Sequence, residues 1–187
     1  MEVRFPPDPQ GAQHEELDPR PLEILLHSGR RMVLCGRIDR IDISPDGLYA
    51  RVVDYKSGKR GKKPDDLNGG RQLQLLVYSL AVLNMLTPRG VQEVNAQYYY
   101  VSRQGNFKRD ELSASQIVAL KDTLREIVES IVEGIFSGLF IPAGDAATCR
   151  GCDFREACGS TRGTVFSSKK DHPILNGFNR LRSIGQA

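Results

Sequence analysis

Residues 36–58, GRIDRIDISPDGLYARVVDYKSG, constrain the fold more tightly than any other stretch of the chain. Strand-like patterning from Arg31 to Ile43 stops at Ser44-Pro45-Asp46-Gly47, a turn signature, and resumes from Leu48 to Lys56. This is a β-hairpin. A basic, glycine-rich loop follows over 57–70. Arg71 to Leu86 is then apolar almost all round, which predicts a buried helix. Val94 to Ser102 reads as a third strand, rich in tyrosine, and Phe107 to Leu112 as a short fourth. Ser113, with Gln116 three residues on, predicts a capping box at the start of a long helix. Ile117, Leu120, Leu124, Ile127, Ile131 and Ile135 lie along one stripe of that helix, which ends at Gly138 and Pro142. The order strand, strand, helix, strand, helix argues for an α/β domain with a small central mixed sheet flanked by helices.

The 187 residues suffice for one domain with a real core. Residues 1–20 show no apolar periodicity and read as an extended lead-in, with no first element of their own. Residues 21–141 form the core, 142–160 a cysteine-rich segment and 161–187 a basic, polar tail. The formal net charge of +3 does not by itself announce a nucleic-acid binder. Its distribution says more, since Lys56, Lys59, Arg60, Lys62 and Lys63 fall within eight residues. No stretch is apolar over the ~18 residues a membrane span needs. The N-terminus lacks the apolar core of a signal peptide, so a cytoplasmic protein is expected. Cysteines in that compartment are not expected to form disulfides.

The hairpin places two acids and a lysine together. A register with Ile43 opposite Leu48 sets Asp39 against Val52, with Asp54 two residues further on the same face. Such diagonal neighbours have Cα atoms roughly 7–8 Å apart. Two carboxylates at that separation can reach one divalent cation, and oxygen ligands select Mg²⁺ or Mn²⁺. Lys56 lies on the same face again, because strand side chains alternate. The Tyr55 carbonyl can add a backbone ligand. Such a point suits phosphodiester hydrolysis, with the metal activating water and the lysine stabilising developing negative charge. Lys59, Arg60, Lys62 and Lys63 then lie where a nucleic-acid backbone must approach. The same register also sets Arg37 against Asp54, which allows a plain cross-strand ion pair instead.

GRIDRID at 36–42, VVDYKSG at 52–58 and QLQLLVYSLA at 72–81 together resemble the RecB-type nuclease domain of the PD-(D/E)XK superfamily. Within it the chain looks most like the C-terminal nuclease of AddB-type helicase–nuclease subunits, from about Leu22 to Cys158. The resemblance implies a restriction-endonuclease-like core and a Mg²⁺- or Mn²⁺-dependent deoxyribonuclease, an exonuclease of DNA repair and recombination. Asp39 and Asp54 would be metal ligands and Lys56 the catalytic lysine. Gln74 and Tyr78 would be the family's Gln-x-x-x-Tyr motif, four residues apart on one helix face. Without the resemblance, Tyr78 reads as core. The implied partners are DNA and a helicase or helicase–nuclease subunit. The rival reading is a catalytically silent nuclease-like module that binds DNA or a partner subunit.

Cys149, Cys152 and Cys158 form a C-x2-C-x5-C run, a metal-binding signal in a cytoplasmic protein. A zinc-stabilised protein–protein domain and three unliganded thiols are the alternatives. The resemblance implies a [4Fe–4S] cluster, which wants four thiolates. The family's first cysteine lies upstream of GRIDRID, and the chain has no counterpart. Cys35 is the only other cysteine, and its strand position reads as a buried core thiol. The family's helix-borne metal-binding histidine is matched by neither His14 nor His27. Both departures suggest a C-terminal fragment that need not be active in isolation, and a natural truncation or a standalone variant would show the same pattern. The fragment is expected to hold no intact cluster in air, with Phe154 packing the cysteine segment against the core.

Overall fold

The expected hairpin forms, but its first arm is broken into three short strands with different partners. The structure is a computed structural model that describes residues 3–5, 20–141 and 149–184. β1 is Val3–Phe5, β2 Leu22–Leu25, β3 Arg31–Leu34, β4 Gly36–Ile38, β5 Arg40–Ile43 and β6 Tyr49–Lys56. β2 pairs with β3, β1 with β4 and β5 with β6, all antiparallel. The breaks fall at Cys35 and at a bend on Asp39. Sequence alternation alone cannot show them, because it survives a break that changes only the partner.

The lead-in holds a first element after all. Val3 and Phe5 in β1 are both buried in the main core. The Phe5 ring meets Tyr78 edge-on at 5.9 Å between centroids. A Cβ at position 36 would stand 2.8 Å from Phe5 Cζ, so this close approach requires Gly36. β1 is too short to show a periodicity, which is why composition hid it.

β6 leads through helix α1 (Gln74–Leu86) to β7 (Glu93–Tyr100), which pairs parallel to β6. β8 (Arg109–Leu112) adds antiparallel to β7, and the sheet order is β5-β6-β7-β8. This is the expected mixed central sheet. α1 packs on β6 and β7 through Leu75, Leu76, Val82 and Met85, all buried. The capping box at Ser113 and Gln116 is present, but the helix after it divides. α2 (Ala114–Ala119) and α3 (Lys121–Phe136) join at Leu120. Leu124 and Ile127 of the expected stripe are buried, whereas Ile135 is exposed near the end of α3.

Residues 161–184 are not the loose tail that their polarity suggests. They form α4 (Arg162–Lys169) and α5 (Asn176–Ser183). Leu181 of α5 packs against the main core, and the Gly69 N–H donates to the Ile184 carbonyl at 3.2 Å. Gly69 has φ of 60°, and a Cβ there would lie 2.9 Å from the Leu181 backbone oxygen. Both conditions restrict the position to glycine. α5 thereby braces the loop that leads into α1. Sparse apolar residues at helical spacing suffice for this docking, so mean polarity misleads.

Glu129 of α3 is buried and ties down the turn between β2 and β3. Its carboxylate accepts from the His27 N–H at 2.6 Å and from the Ser28 N–H at 3.3 Å. Hydrogen bonding, first from Ser28, holds its pKa below the ordinary 4.5. A depressed acid contributes stability above its unfolded value and loses it as pH falls through the folded value. Wild type is therefore expected to lose stability below pH 4.5 more steeply than Glu129→Gln, and to be the more stable at neutral pH. Urea midpoints measured across that range check both signs.

Candidate active site

The observed register differs from the expected one by two residues. Ile43 opposes Ala50 and Arg40 opposes Val53, so Asp39 comes opposite Asp54 at the bend. A two-residue shift preserves the face, so both aspartates stay on one side of the sheet. The Tyr55 N–H donates to Asp39 Oδ2 at 3.0 Å and fixes that carboxylate at the strand end. The cross-strand ion pair between Arg37 and Asp54 loses its basis, since Arg37 instead opposes Arg4 in the β1–β4 ladder.

Asp54 is only 2% exposed. Lys56 Nζ lies 2.6 Å from its Oδ2. That contact is a close ion pair, and Oδ2 has no other hydrogen-bond donor among the described residues. Burial pushes the Asp54 carboxyl above its ordinary 3.8, and the nearby Asp39 charge adds to the rise. Lys56 acts the other way and keeps the charged form accessible. A buried carboxylate beside a second carboxylate has the donor chemistry of a hard divalent cation site.

Lys56 is held from three sides. Beyond Asp54, its ammonium donates to Gln74 Oε1 at 2.7 Å and lies 5.1 Å from the Tyr98 ring centroid. Gln74 Nε2 in turn donates to the Tyr78 hydroxyl at 3.2 Å. Gln74, at the start of α1, and Tyr78 one turn later thus share the expected face. Asp39, Asp54, Lys56, Gln74 and Tyr78 come together in one place. The sequence reading missed Tyr98, whose hydroxyl burial and the Asp54 charge push up to about 12. Tyr98 alternates with Ala96 and Tyr100 on the inner face of β7, and the parallel register sets it beside Asp54.

The basic run borders this site but is only partly free. Arg60 pairs bidentately with Asp110 of β8, with Nε at 2.7 Å from Oδ2. Lys62 pairs with Asp66 at 2.8 Å. The Gly61 N–H donates to the Tyr100 hydroxyl at 3.1 Å, so the loop is clamped to the sheet edge. Lys59 and Lys63 remain exposed. Lys56, Lys59, Arg71, Gln72, Gln74 and Tyr98 line a cleft of about 300 Å³.

The cysteine segment differs from expectation. Cys152 and Cys158 are exposed and Cys149 half-buried. Phe154 is 75% exposed and does not pack on the core. Cys35 is exposed as well, in the break between β3 and β4, and is not a buried core thiol. Among the described residues, no three His, Cys, Asp or Glu side chains gather as a metal-binding group. A [4Fe–4S] cluster, which needs four converging thiolates, does not fit this arrangement. No described helix is long and apolar enough to cross a membrane.

The chain matches the family model described as the PD-(D/E)XK nuclease superfamily over residues 7–159. It is also similar to several bacterial proteins named as subunits of an ATP-dependent helicase/deoxyribonuclease. With that of Clostridium tetani it is 44% identical over 77 residues, 40% of this chain and 7% of the relative. With that of Alkaliphilus oremlandii it is 44% identical over 82 residues, 43% of this chain and 7% of the relative. These matches therefore span a small part of the relatives' length. The family match covers both aspartates, the lysine and the glutamine–tyrosine turn of α1, and the chain belongs to the PD-(D/E)XK nuclease superfamily.

Proposed function

We propose that this chain is the nuclease module of a helicase–nuclease of DNA repair and recombination, cytoplasmic and acting as an exonuclease. Asp39, Asp54 and the Tyr55 carbonyl hold Mg²⁺ or Mn²⁺, and Lys56, Gln74 and Tyr78 complete the catalytic set. The observation that carries this reading is the buried Asp54 carboxylate beside the Asp39 charge, with Lys56 2.6 Å from its Oδ2 and no other donor to that oxygen among the described residues. When bound, the metal supplies a Lewis acid that polarises the phosphoryl oxygen and acidifies water.

The side chains divide the remaining work. A lysine ammonium has three N–H donors. The Asp54 contact and the Gln74 hydrogen bond account for two of them. The third is available to a phosphate oxygen or a water in the cleft. Gln74 and Tyr78 position Lys56, so that its charge meets the developing negative charge without reorganisation. DNA and a partner helicase–nuclease polypeptide follow from the names of the relatives, transferred here as part of the proposal.

Metal binding tests the reading apart from catalysis. Mg²⁺ or Mn²⁺ at a hundredfold excess over its Kd should stabilise wild type by about 2.7 kcal/mol, by mass action. Asp54→Ala should show no such thermal shift. A shift of equal size in both proteins would remove Asp54 from the site. Cleavage of DNA by wild type only when divalent ions are present is the accompanying requirement.

The basic loop yields a salt test. Lys59 and Lys63, exposed and without carboxylate partners among the described residues, are expected to contact phosphates. Each alanine substitution should flatten the slope of log K against log[salt] by about 0.7–0.9. Arg60→Ala and Lys62→Ala act partly through the loop clamps. The first of them is expected to disturb the Asp110 side of the cleft as well. Binding titrations over a range of salt, without divalent ions, separate the two groups.

A further inference from the structure

The reverse face of the sheet carries an aromatic row that the proposed chemistry does not use. Tyr55 of β6 opposes Tyr99 of β7, which opposes Arg109 of β8. All three alternate away from Asp54, Lys56 and α1. The tyrosine rings are tilted by 45° with centroids 5.9 Å apart. The Arg109 guanidinium lies 4.7 Å from the Tyr99 centroid and makes no ion pair among the described residues. From β5, Arg40 donates to the Tyr55 hydroxyl at 3.2 Å, while Asp42 holds its Nε at 2.7 Å. Tyr55 is 39% exposed, and Val101, next on the same face after Tyr99, is 45% exposed. An exposed and a half-buried tyrosine ring beside guanidinium groups mark a surface for a partner with flat faces and negative charge.

We infer that this row is a second nucleic-acid contact, on which unpaired DNA bases stack against Tyr55 and Tyr99 while Arg109 meets a flanking phosphate. The inference rests on the nuclease reading for its choice of DNA. Bases inside a duplex are stacked on each other and cannot offer their faces to tyrosine, so the fit is to an unpaired run. The row sits at the ends of β6 and β7. Lys56 ends β6 and Lys59 follows in the basic loop at the same end, so a strand leaving the cleft passes these cations around the ends of the two central strands. Stacking on tyrosine is tolerant of base identity, so the contact adds affinity without sequence preference.

Binding of a fluorescent oligothymidylate to the whole 187-residue chain, without divalent ions, tests this independently of cleavage. Tyr99→Ala is expected to weaken binding about tenfold, a typical loss for one stacked base. Tyr99→Phe should bind as wild type does, since the ring alone is used. Arg109→Ala should flatten the salt slope by about 0.7, as for one single-strand phosphate. A duplex of equal length should bind Tyr99→Ala and wild type alike. The chain has no tryptophan and six tyrosines, so the part of the strand-induced quenching of tyrosine emission that is lost in Tyr99→Ala reports stacking on the row. The platform is overturned if Tyr99→Ala, shown folded by circular dichroism, binds the single strand as wild type does. It is overturned equally if single strand and duplex weaken together, or if wild type binds no single strand. Metal-dependent cleavage that persists with Tyr99-independent binding would remove the platform and leave the nuclease reading intact. Tyr99-dependent binding in a chain that never cleaves would do the reverse.

Discussion

Asp54→Ala and Lys56→Ala are each expected to reduce DNA cleavage by at least about 10²–10³-fold, the usual loss for one preorganised electrostatic group. Binding of DNA should remain largely intact in both. The measurement is a nuclease assay in Mg²⁺ or Mn²⁺, on this chain or on a longer polypeptide containing it. The two variants fail for different reasons. Asp54→Ala removes the buried carboxylate and with it the ion-pair partner of Lys56. Lys56→Ala leaves the carboxylates in place, so metal binding should survive while turnover does not. Gln74→Ala should show a milder loss, since it touches the reaction only through Lys56. Cleavage that survives both principal substitutions would move the chemistry elsewhere in the molecule. Full activity in a chelator would exclude the two-aspartate site as a metal centre.

Phe5→Ala is expected to destabilise the protein by about 3–5 kcal/mol, the range for truncating a buried phenylalanine. On a chain of this size that is a fall in Tm of roughly 6–20 °C. Phe5 is 1% exposed and packs edge-on to Tyr78. The void would open beside Gly36 and beneath the ring whose hydroxyl accepts from Gln74. The catalytic cost should therefore exceed that of an equally destabilising change elsewhere in the core, such as Met85→Ala. Thermal melts and cleavage rates on both variants separate the two effects. A change in Tm below about 2 °C, less than 1 kcal/mol by the same scaling, would mean that β1 contributes no core.

The chain of residues that brings the site together was largely legible as periodicity. Asp39, Asp54 and Lys56 share a face because strand side chains alternate. An error of two residues in register left that conclusion standing, whereas an error of one would have reversed it. Gln74 and Tyr78 meet because residues four apart lie on one face of a helix. The buried α1, the tyrosine-rich third strand that becomes β7 and the Ser113 cap follow equally from local pattern. These are relations within one element or across one turn, and the order of residue types specifies them.

Contacts between distant segments were set by the path of the chain. Asp110 is 50 residues from Arg60, and nothing in either neighbourhood announces the clamp that removes Arg60 from the free basic run. Three residues of β1 are too few for a period, yet they cover Tyr78 once β4 offers them an edge. α5 is polar on average and docks through Leu181 because Gly69 and Gly70 leave room for its backbone. Tyr98 enters the site only through the parallel register of β7 with β6. Alternation and helical spacing thus determined which face each functional side chain occupies. The tertiary structure decided which faces meet, because burial rewards whichever distant surfaces the connections bring into contact.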